Sequence, residues 1–591
     1  MKNQLLRKIS LWNRARLDKR RSAEISYPQW IKAHDTLTPA TIKALADQVS
    51  KASFKPLITL ILDVQAFVQP KGLRDTIQSV REQIYPHWEL LIHHTGTANN
   101  VDLQELAGQD DRLTLINIPA GSSWIDGVNA SVYNKAPGSF ILRINPDGLL
   151  RKHALAMLVK AMAANAQGRV FYWDEDSIDG RGQRHAPLFK PKWNAHLLQA
   201  KNYLGQLCAI ETQLWQQAGG LKANFSHAAM YDLLLRCTER LSDQAIVHIP
   251  FILYHAHSRH DADAQALQAG HQAVQAHLKR MGILATVTLE DGINRVDYDA
   301  PSMPPHVSII IPSRDRPELL KKCVTTVLNV TTYAHFELLF IDNGTTNEEA
   351  LQLIQEFARN PRFKLLVDKS PFNYSSLNNQ GAAIATGDLL CMLNNDVEIT
   401  DPRWLDKLVA VCVQDNVGVV GARLLLPSGQ IQHAGVVLGI GGVAGHPFSY
   451  KRGNAPTYMN RAKIMHELSA VTGACLMTSK DVFERVGGLD EKLQVAFNDV
   501  DFCLRVRQLG KKVIYAPQVE LIHHESASRG KDDTVEKKTR FATEIKYMQK
   551  KWPTWLNNDP AYNPNLTLKS DGFSLADPPR VNMLTELAHA G

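Results

Sequence analysis

The residues best suited to chemistry gather at the ends of apolar runs in the C-terminal half of the chain. DLLCMLNND (388–396) finishes on Asn394, Asn395 and Asp396, and Asp401 opens the segment that follows. Hard oxygen ligands at a strand end suit Mg2+ or Mn2+, and such an ion would bridge the diphosphate of a bound nucleotide. ELLFIDNG (337–344) finishes on Asp342 and Asn343, whose side chains can hydrogen-bond a base or ribose. FNDVDFCLRVRQLG (497–510) sets Asp499 and Asp501 ahead of an amphipathic helix, and LIHHESASRG (521–530) places His523 and His524 after an apolar strand. An imidazole there is a natural third ligand for a metal. Taken singly, Asn-Asp and Asp-Asn-Gly are turn devices and a His pair is a packing feature. Their shared position at the carboxyl ends of strands is what makes them a candidate site, because ligands of open α/β sheets bind there.

The elements that must position these residues occur twice. YPHWELLIHHTG (85–96) returns as YAHFELLFIDNG (333–344), LRINPDGLL (142–150) returns beside LNNDVEI (393–399), and YDLLLR (231–236) returns as VDFCLR (500–505). A repeat of this length means two homologous domains. The division is a basic helical extension (1–54), a first α/β domain (55–262), a helical connector and proline-rich linker (263–305), a second α/β domain (306–530) and a helical, then irregular tail (531–591). PLITLILDV (56–64) and HVSIIIPSRDR (306–316) open the two domains as buried strands of parallel sheets. The length of 591 residues suits two domains, and 44% hydrophobic with 21% charged residues is a globular composition. Seven scattered Cys form no CxxC pair, so buried thiols in a cytoplasmic, reducing setting are expected.

Strand-IPSRDRPELL, strand-IDNG, FNYSSLNNQGAAIATGDLLCMLNND, AVTGACLM (470–477), VGGLDE, FNDVDFCLR and HHESASRG together resemble the inverting nucleotide-sugar glycosyltransferases of family two. Among these the chain is most similar to bacterial two-domain members that build O-antigen, capsule and rhamnose-containing polysaccharides. The resemblance implies two tandem GT-A domains, Rossmann-like, with helical extensions. It puts the donor nucleotide, a UDP- or dTDP-sugar, against Pro312, Ser313, Arg314, Asp315, Asp342 and Asn343, with Asn378, Asn379 and Gly381 on the sugar-diphosphate side. Asn394 and Asn395 precede Asp396, which matches the metal-binding Asp of the family's DxD motif, Asn394 replacing its first Asp. Asp499 matches the catalytic base, and His523 or His524 the late ligand to Mn2+ or Mg2+, His524 being favoured. Asp501 is expected to be structural, capping its helix.

By the same alignment His94 and Thr95 stand at Asp342 and Asn343, Asn145-Pro146-Asp147 at Asn394-Asn395-Asp396, and Met230 at Asp499. A thioether accepts no proton at neutral pH, so the first copy is expected to be silent. Its acidic cluster Asp174, Glu175 and Asp176 is expected in a solvated loop, with metal or acceptor binding as the alternative. Neither copy has GxGxxG after its first strand, which sets aside a dinucleotide oxidoreductase. The alternative function is a non-catalytic carbohydrate-binding or scaffold protein of the same pathway. No nucleic acid is implied. The expected partners are a nucleotide-sugar donor and a lipid-linked oligosaccharide or polysaccharide acceptor. Leu5, Ile9 and Trp12 among Lys and Arg form a helix that either docks on the first domain or rests on the cytoplasmic face of the inner membrane.

Overall fold

The computed structural model describes residues 25–64, 70–94, 103–119, 121–135, 139–205, 207–256, 264–524 and 534–582. The basic segment 1–22 lies outside them. A first sheet is built from β1 (Ile58–Val64), β2 (Trp88–His94), β3 (Leu113–Asn117), β4 (Phe140–Ile144), β5 (Gly148–Leu150), β6 (Val170–Ile178), β7 (Arg184–Leu188), β8 (Ala209–Glu211) and β9 (Ile246–Ala256). Helix Ala264–Arg280 and the hairpin of β10 (Ala285–Glu290) and β11 (Ile293–Tyr298) connect it to the next unit. The second sheet uses β12 (Val307–Ser313), β13 (Phe336–Asp342), β14 (Phe363–Val367), β15 (Leu389–Leu393), β16 (Val397–Glu398), β17 (Val417–Leu425) and β18 (Ile431–His433). After a separate ribbon of β19 (Val437–Leu438) and β20 (Ala444–Gly445) it is completed by β21 (His466–Leu468), β22 (Cys475–Ser479) and β23 (Lys512–His523).

The strand orders are β3-β2-β1-β4-β8-β6-β9-β5 and β14-β13-β12-β15-β22-β17-β23-β16, the same plan strand for strand. Register agrees as well: Ile58 faces Trp88 and Phe140, as Val307 faces Phe336 and Leu389. The sheets are mixed, not parallel throughout, since β8 and β22 run antiparallel to their neighbours. Strand direction leaves no trace in an apolar run buried on both faces, which is why the sequence does not reveal it. β1 and β12 are buried at every position, as strands covered on both faces must be.

Small polar networks are duplicated with the strands. Thr59 donates to Glu89 and Ser308 to Glu337, each at 2.6 Å. Asp232 pairs with Arg236, and Asp501 with Arg505, one helical turn on. Each arginine then donates to the carbonyl of a left-handed glycine, Gly220 or Gly488, at 2.7 Å.

One cluster of buried side chains runs from Tyr172 and Leu234 of the first unit, through Val274 and Val296 of the connector, to Trp404 and Val420 of the second. Polar bonds also cross the seam: Asn194 donates to the Glu467 carbonyl at 2.8 Å, and the Phe189 N–H to the Tyr458 hydroxyl at 2.7 Å. Asp174, Glu175 and Asp176 lie in β6 rather than in a solvated loop, with Asp174 and Asp176 fully buried. Asp174 accepts from Asn563 of the tail at 2.8 Å, and Asp176 from Tyr27 of the N-terminal extension at 2.6 Å. The cluster ties both ends of the chain to the first sheet.

Candidate active site

The site forms where β12 and β15 stop. Ser313 ends β12, and Asn394–Asp396 turn the chain from β15 into the short β16. β16 pairs antiparallel with the end of β23, Val397 facing His523. This pairing brings His523 Nε2 to 3.1 Å from Asp396 Oδ1, while Gln432 Oε1 sits 3.1 Å from the other ring nitrogen. Successive side chains of a strand point to opposite faces. His524 is therefore turned away, its Nε2 2.8 Å from Glu398 Oε2. Burial raises the Glu398 carboxyl, but His524 and Lys322 outweigh it and hold the group below its usual range. The imidazole beside Asp396 is that of His523, not of the favoured His524.

Asp499 arrives from the opposite wall. It lies in the first turn of helix Asn498–Gln508, inside the helix and not ahead of it. Asp499 Oδ2 accepts from the Gly473 N–H at 2.8 Å, and the Gly473 carbonyl accepts from the Tyr374 hydroxyl at 2.9 Å. Burial and the nearby Asp499 charge push the Tyr374 phenol up. A Cβ on residue 473 would stand 3.3 Å from the Tyr374 oxygen and 3.5 Å from the Asp499 Cβ, so a glycine allows this close approach. Phe497, just before the helix, is left-handed (φ 62°) and stacks on Phe541 of helix Val535–Lys551. From that same helix Glu544 accepts the N–H groups of Val495 at 2.9 Å and Ala496 at 3.3 Å.

Between these walls is a cleft of about 500 Å³, lined by Pro312, Ser313, Arg314, Asp315, Asn394, Asn395, Asp396, Asp499 and His523 among others. Asn395 is fixed by donating to the Ser313 hydroxyl at 2.9 Å. Asp315 and Arg316 are consecutive left-handed residues (φ 54° and 57°) in the first loop, a backbone state that concentrates at functional sites. The Asp315 carboxyl is held below its usual range by the N–H groups of Thr346 and Asn347, so it braces the next loop.

Several candidates are not brought to the cleft. Asn379 is spent on the scaffold: its oxygen accepts from the Leu489 N–H at 2.8 Å and its nitrogen donates to the Leu489 carbonyl at 3.0 Å. Asn129 makes the same pair of bonds with Leu221 in the first unit. Asn378 is fully buried and donates to the Tyr374 carbonyl, and a Cβ at Gly381 would meet Ile310 at 2.5 Å. Asp342 caps its own turn through Thr345, and Asn343 donates to the carbonyls of Asp368 and Ser370. Asp501 is buried within its helix and bonds Arg505, Lys551 and the Trp552 indole at 2.8, 2.7 and 2.8 Å, anchoring the tail rather than capping. Tyr374, Gln432, Gly473 and Glu544 were not among the expected site residues. The glycine in TGAC was the available sign for Gly473, since a glycine in a strand pattern marks a close approach; no local pattern points to Glu544.

In the first unit Ala256 faces Gly148 where His523 faces Val397. Tyr254 packs so closely on Gly148 that a Cβ there would collide with its ring. Met230 is buried in the helix that matches Asn498–Gln508.

Among the described residues no group of three or more His, Cys, Asp or Glu is placed to hold a metal ion, and no helix is long and apolar enough to cross a membrane. Asp396 and His523 nevertheless supply a carboxylate and an imidazole at one point, with Gln432 orienting the ring. This donor pair fits Mn2+ and, less well, Mg2+.

Residues 308–487 match the family model of glycosyl transferase family 2. The chain is 39% identical over 550 residues to the uncharacterized protein y4gI of Sinorhizobium fredii, a match covering 90% of this chain and 60% of that one. It is 37% identical over 563 residues to the O-antigen biosynthesis protein RfbC of Myxococcus xanthus, covering 93% of this chain and 43% of that one. An N-acetylglucosaminyl-diphospho-decaprenol L-rhamnosyltransferase of Mycobacterium tuberculosis is 24% identical over 225 residues, covering 35% of this chain and 72% of its own. The chain thus spans 60% and 43% of the length of the first two relatives.

Proposed function

We propose that the second unit, whose residues 308–487 match the family model of glycosyl transferase family 2, moves a sugar from a UDP- or dTDP-sugar to a growing bacterial surface polysaccharide, with inversion at the anomeric carbon. The observation that carries this is the position of Asp499, held by Gly473 across one cleft from Asp396 and His523. The Asp499 carboxylate takes the proton of the acceptor hydroxyl as that oxygen attacks the anomeric carbon. The bond from that carbon to the diphosphate oxygen breaks on the far side, and the nucleoside diphosphate leaves with the electron pair. A positioned base of this kind contributes roughly 10²–10⁴-fold. Asp396 and His523 would hold a Mn2+ or Mg2+ ion, whose chemistry is to offset charge growing on the leaving diphosphate. Arg314, half exposed at the cleft, would meet donor phosphate oxygens in this scheme.

The names of the relatives, O-antigen biosynthesis in one and a diphospho-decaprenol acceptor in another, support an oligosaccharide carried on a polyprenyl-type lipid as acceptor. A cytoplasmic protein resting on the inner membrane through its basic N-terminal segment suits that acceptor. The first unit, with Met230, Ala256 and Tyr254 at the corresponding places, is a silent partner in this scheme. The test is a screen of nucleotide sugars with Mn2+ present, reading release of UDP, dTDP or GDP. Release of one nucleotide by the native chain, and its loss in Asp396→Ala, is expected. No release with any donor would leave a carbohydrate-binding scaffold as the better account.

A further inference from the structure

The first unit keeps a cavity that shares one wall with the position of the second unit's cleft. It measures about 530 Å³ and is walled by Trp124, Met230, Lys201 and Asn202, with helix Ala264–Arg280 and the β10–β11 hairpin closing one side. Trp124 follows the N-cap Ser123 as Tyr374 follows the N-cap Asn373. With Met230 in the place of Asp499, the cavity keeps one wall of the inherited site, while Asp147 and Ala256, at the places of Asp396 and His523, are not among its lining residues.

Its chemistry has changed. Among the described residues no carboxylate lines it, whereas Asp315, Asp396 and Asp499 line the cleft. Arg143 lies over the Trp124 ring, 4.9 Å from its centre, and 3.7 Å from Asp63. The side-chain oxygen of Asn202 is buried with no hydrogen-bond partner among the described residues. An indole face beside amides and cations is an arrangement that binds sugar rings, and Met230, in the place of Asp499, accepts no proton.

A second cavity, of about 820 Å³, adjoins the first, and Ala200 and Asn294 line both. It runs between the connector hairpin and the second unit to the turn holding Ser428 and Gly429. The strand after that turn, β18, carries Gln432, which lines the catalytic cleft. Its charges are largely matched, Arg423 with Glu520 at 2.8 Å and Lys463 with Asp291 at 3.2 Å. A neutral polyol with many hydroxyls suits such walls better than an ion does. Each cavity falls in the range of ordinary ligand sites, roughly 300–1,000 Å³, and joined they have room for several sugar units.

We infer that this cavity of the first unit and the seam cavity together form a track that binds the growing oligosaccharide acceptor, resting on the reading that only the second unit transfers sugar. The probe is oligosaccharide cut by mild acid from the producing strain's own surface polysaccharide, sorted by length and titrated into the full-length protein. Affinity should rise with length. Trp124→Ala should weaken binding of the longer fragments by about tenfold, the worth of one aromatic contact, and leave the shortest unchanged. Arg452→Glu, on the exposed rim of the seam cavity, should act in the same direction and keeps the test alive if Trp124→Ala does not fold. Nucleoside diphosphate release without acceptor, read in parallel, should match the native rate in both. Unchanged affinity for long fragments in two folded variants would overturn the track. Absent nucleotide release from the native chain would count against the proposed transfer, while the binding arm would still decide on the track.

Discussion

At single residues, the chemistry depends on which side chains face the cleft and which are used up by the fold. Asp499→Asn keeps an oxygen to accept the Gly473 N–H but loses the base, so transfer should fall by roughly 10²–10⁴-fold with nucleotide affinity near native in a binding titration. Retention of more than about a tenth of the rate would remove Asp499 from that role. His523→Ala should raise the Mn2+ concentration needed for half-maximal activity by about 10–100-fold, and His524→Ala should barely move it. The reverse ranking would show that the Glu398-bound ring is the one that matters. That Asp396 and Asp499 share a cleft was legible in the sequence, because their order along the chain carries the pattern of the family that it resembles. The choice between the two histidines was not, since it depends on the register of β16 against β23. Nor was the structural duty of Asn379: a motif residue looks the same whether its amide meets a ligand or, as here, the backbone of Leu489.

At the scale of elements, the helix Val535–Lys551 is the part that sequence patterns undervalue. The tail is expected to open as a helix, but nothing local showed that Glu544 holds the loop before Asp499 or that Phe541 supports the left-handed Phe497. Such contacts join positions about fifty residues apart and leave no periodic trace. Glu544→Ala would bury the N–H groups of Val495 and Ala496 without a partner, at a cost of about 1–3 kcal/mol. Thermal unfolding should therefore shift down, and kcat should drop more than donor affinity because the loop aims Asp499. A variant with lowered stability and unchanged kcat would mean that the helix only packs. The strands, in contrast, were readable from their apolar runs, and the two sheets were expected in pairs because each run came twice.

At the scale of the molecule, two copies of one plan share a core, and Glu467 sits at their seam, accepting from His196 of the first unit and Lys512 of the second. Burial raises its carboxyl, yet these partners outweigh that and lower it to about 2. A depressed carboxyl stabilises the folded state above its unfolded value, near 4.5, and this is lost as pH falls from there toward 2. Glu467→Gln should flatten this part of the acid unfolding curve, and an unchanged curve would show that the seam does not depend on the charge. The central claim is that one of two inherited sites works. The first copy retains the scaffold pairs, Asn129 with Leu221 and Asp232 with Arg236, while Met230 and Ala256 stand where the second has Asp499 and His523. The most direct measurement compares the transfer rates of Asp147→Ala and Asp396→Ala in the full-length chain, both confirmed folded. Asp147→Ala should stay within about twofold of native while Asp396→Ala falls by roughly 10²–10³-fold, the loss seen when a group stabilising transition-state charge is removed; comparable losses in the two would mean two working sites and would contradict the account.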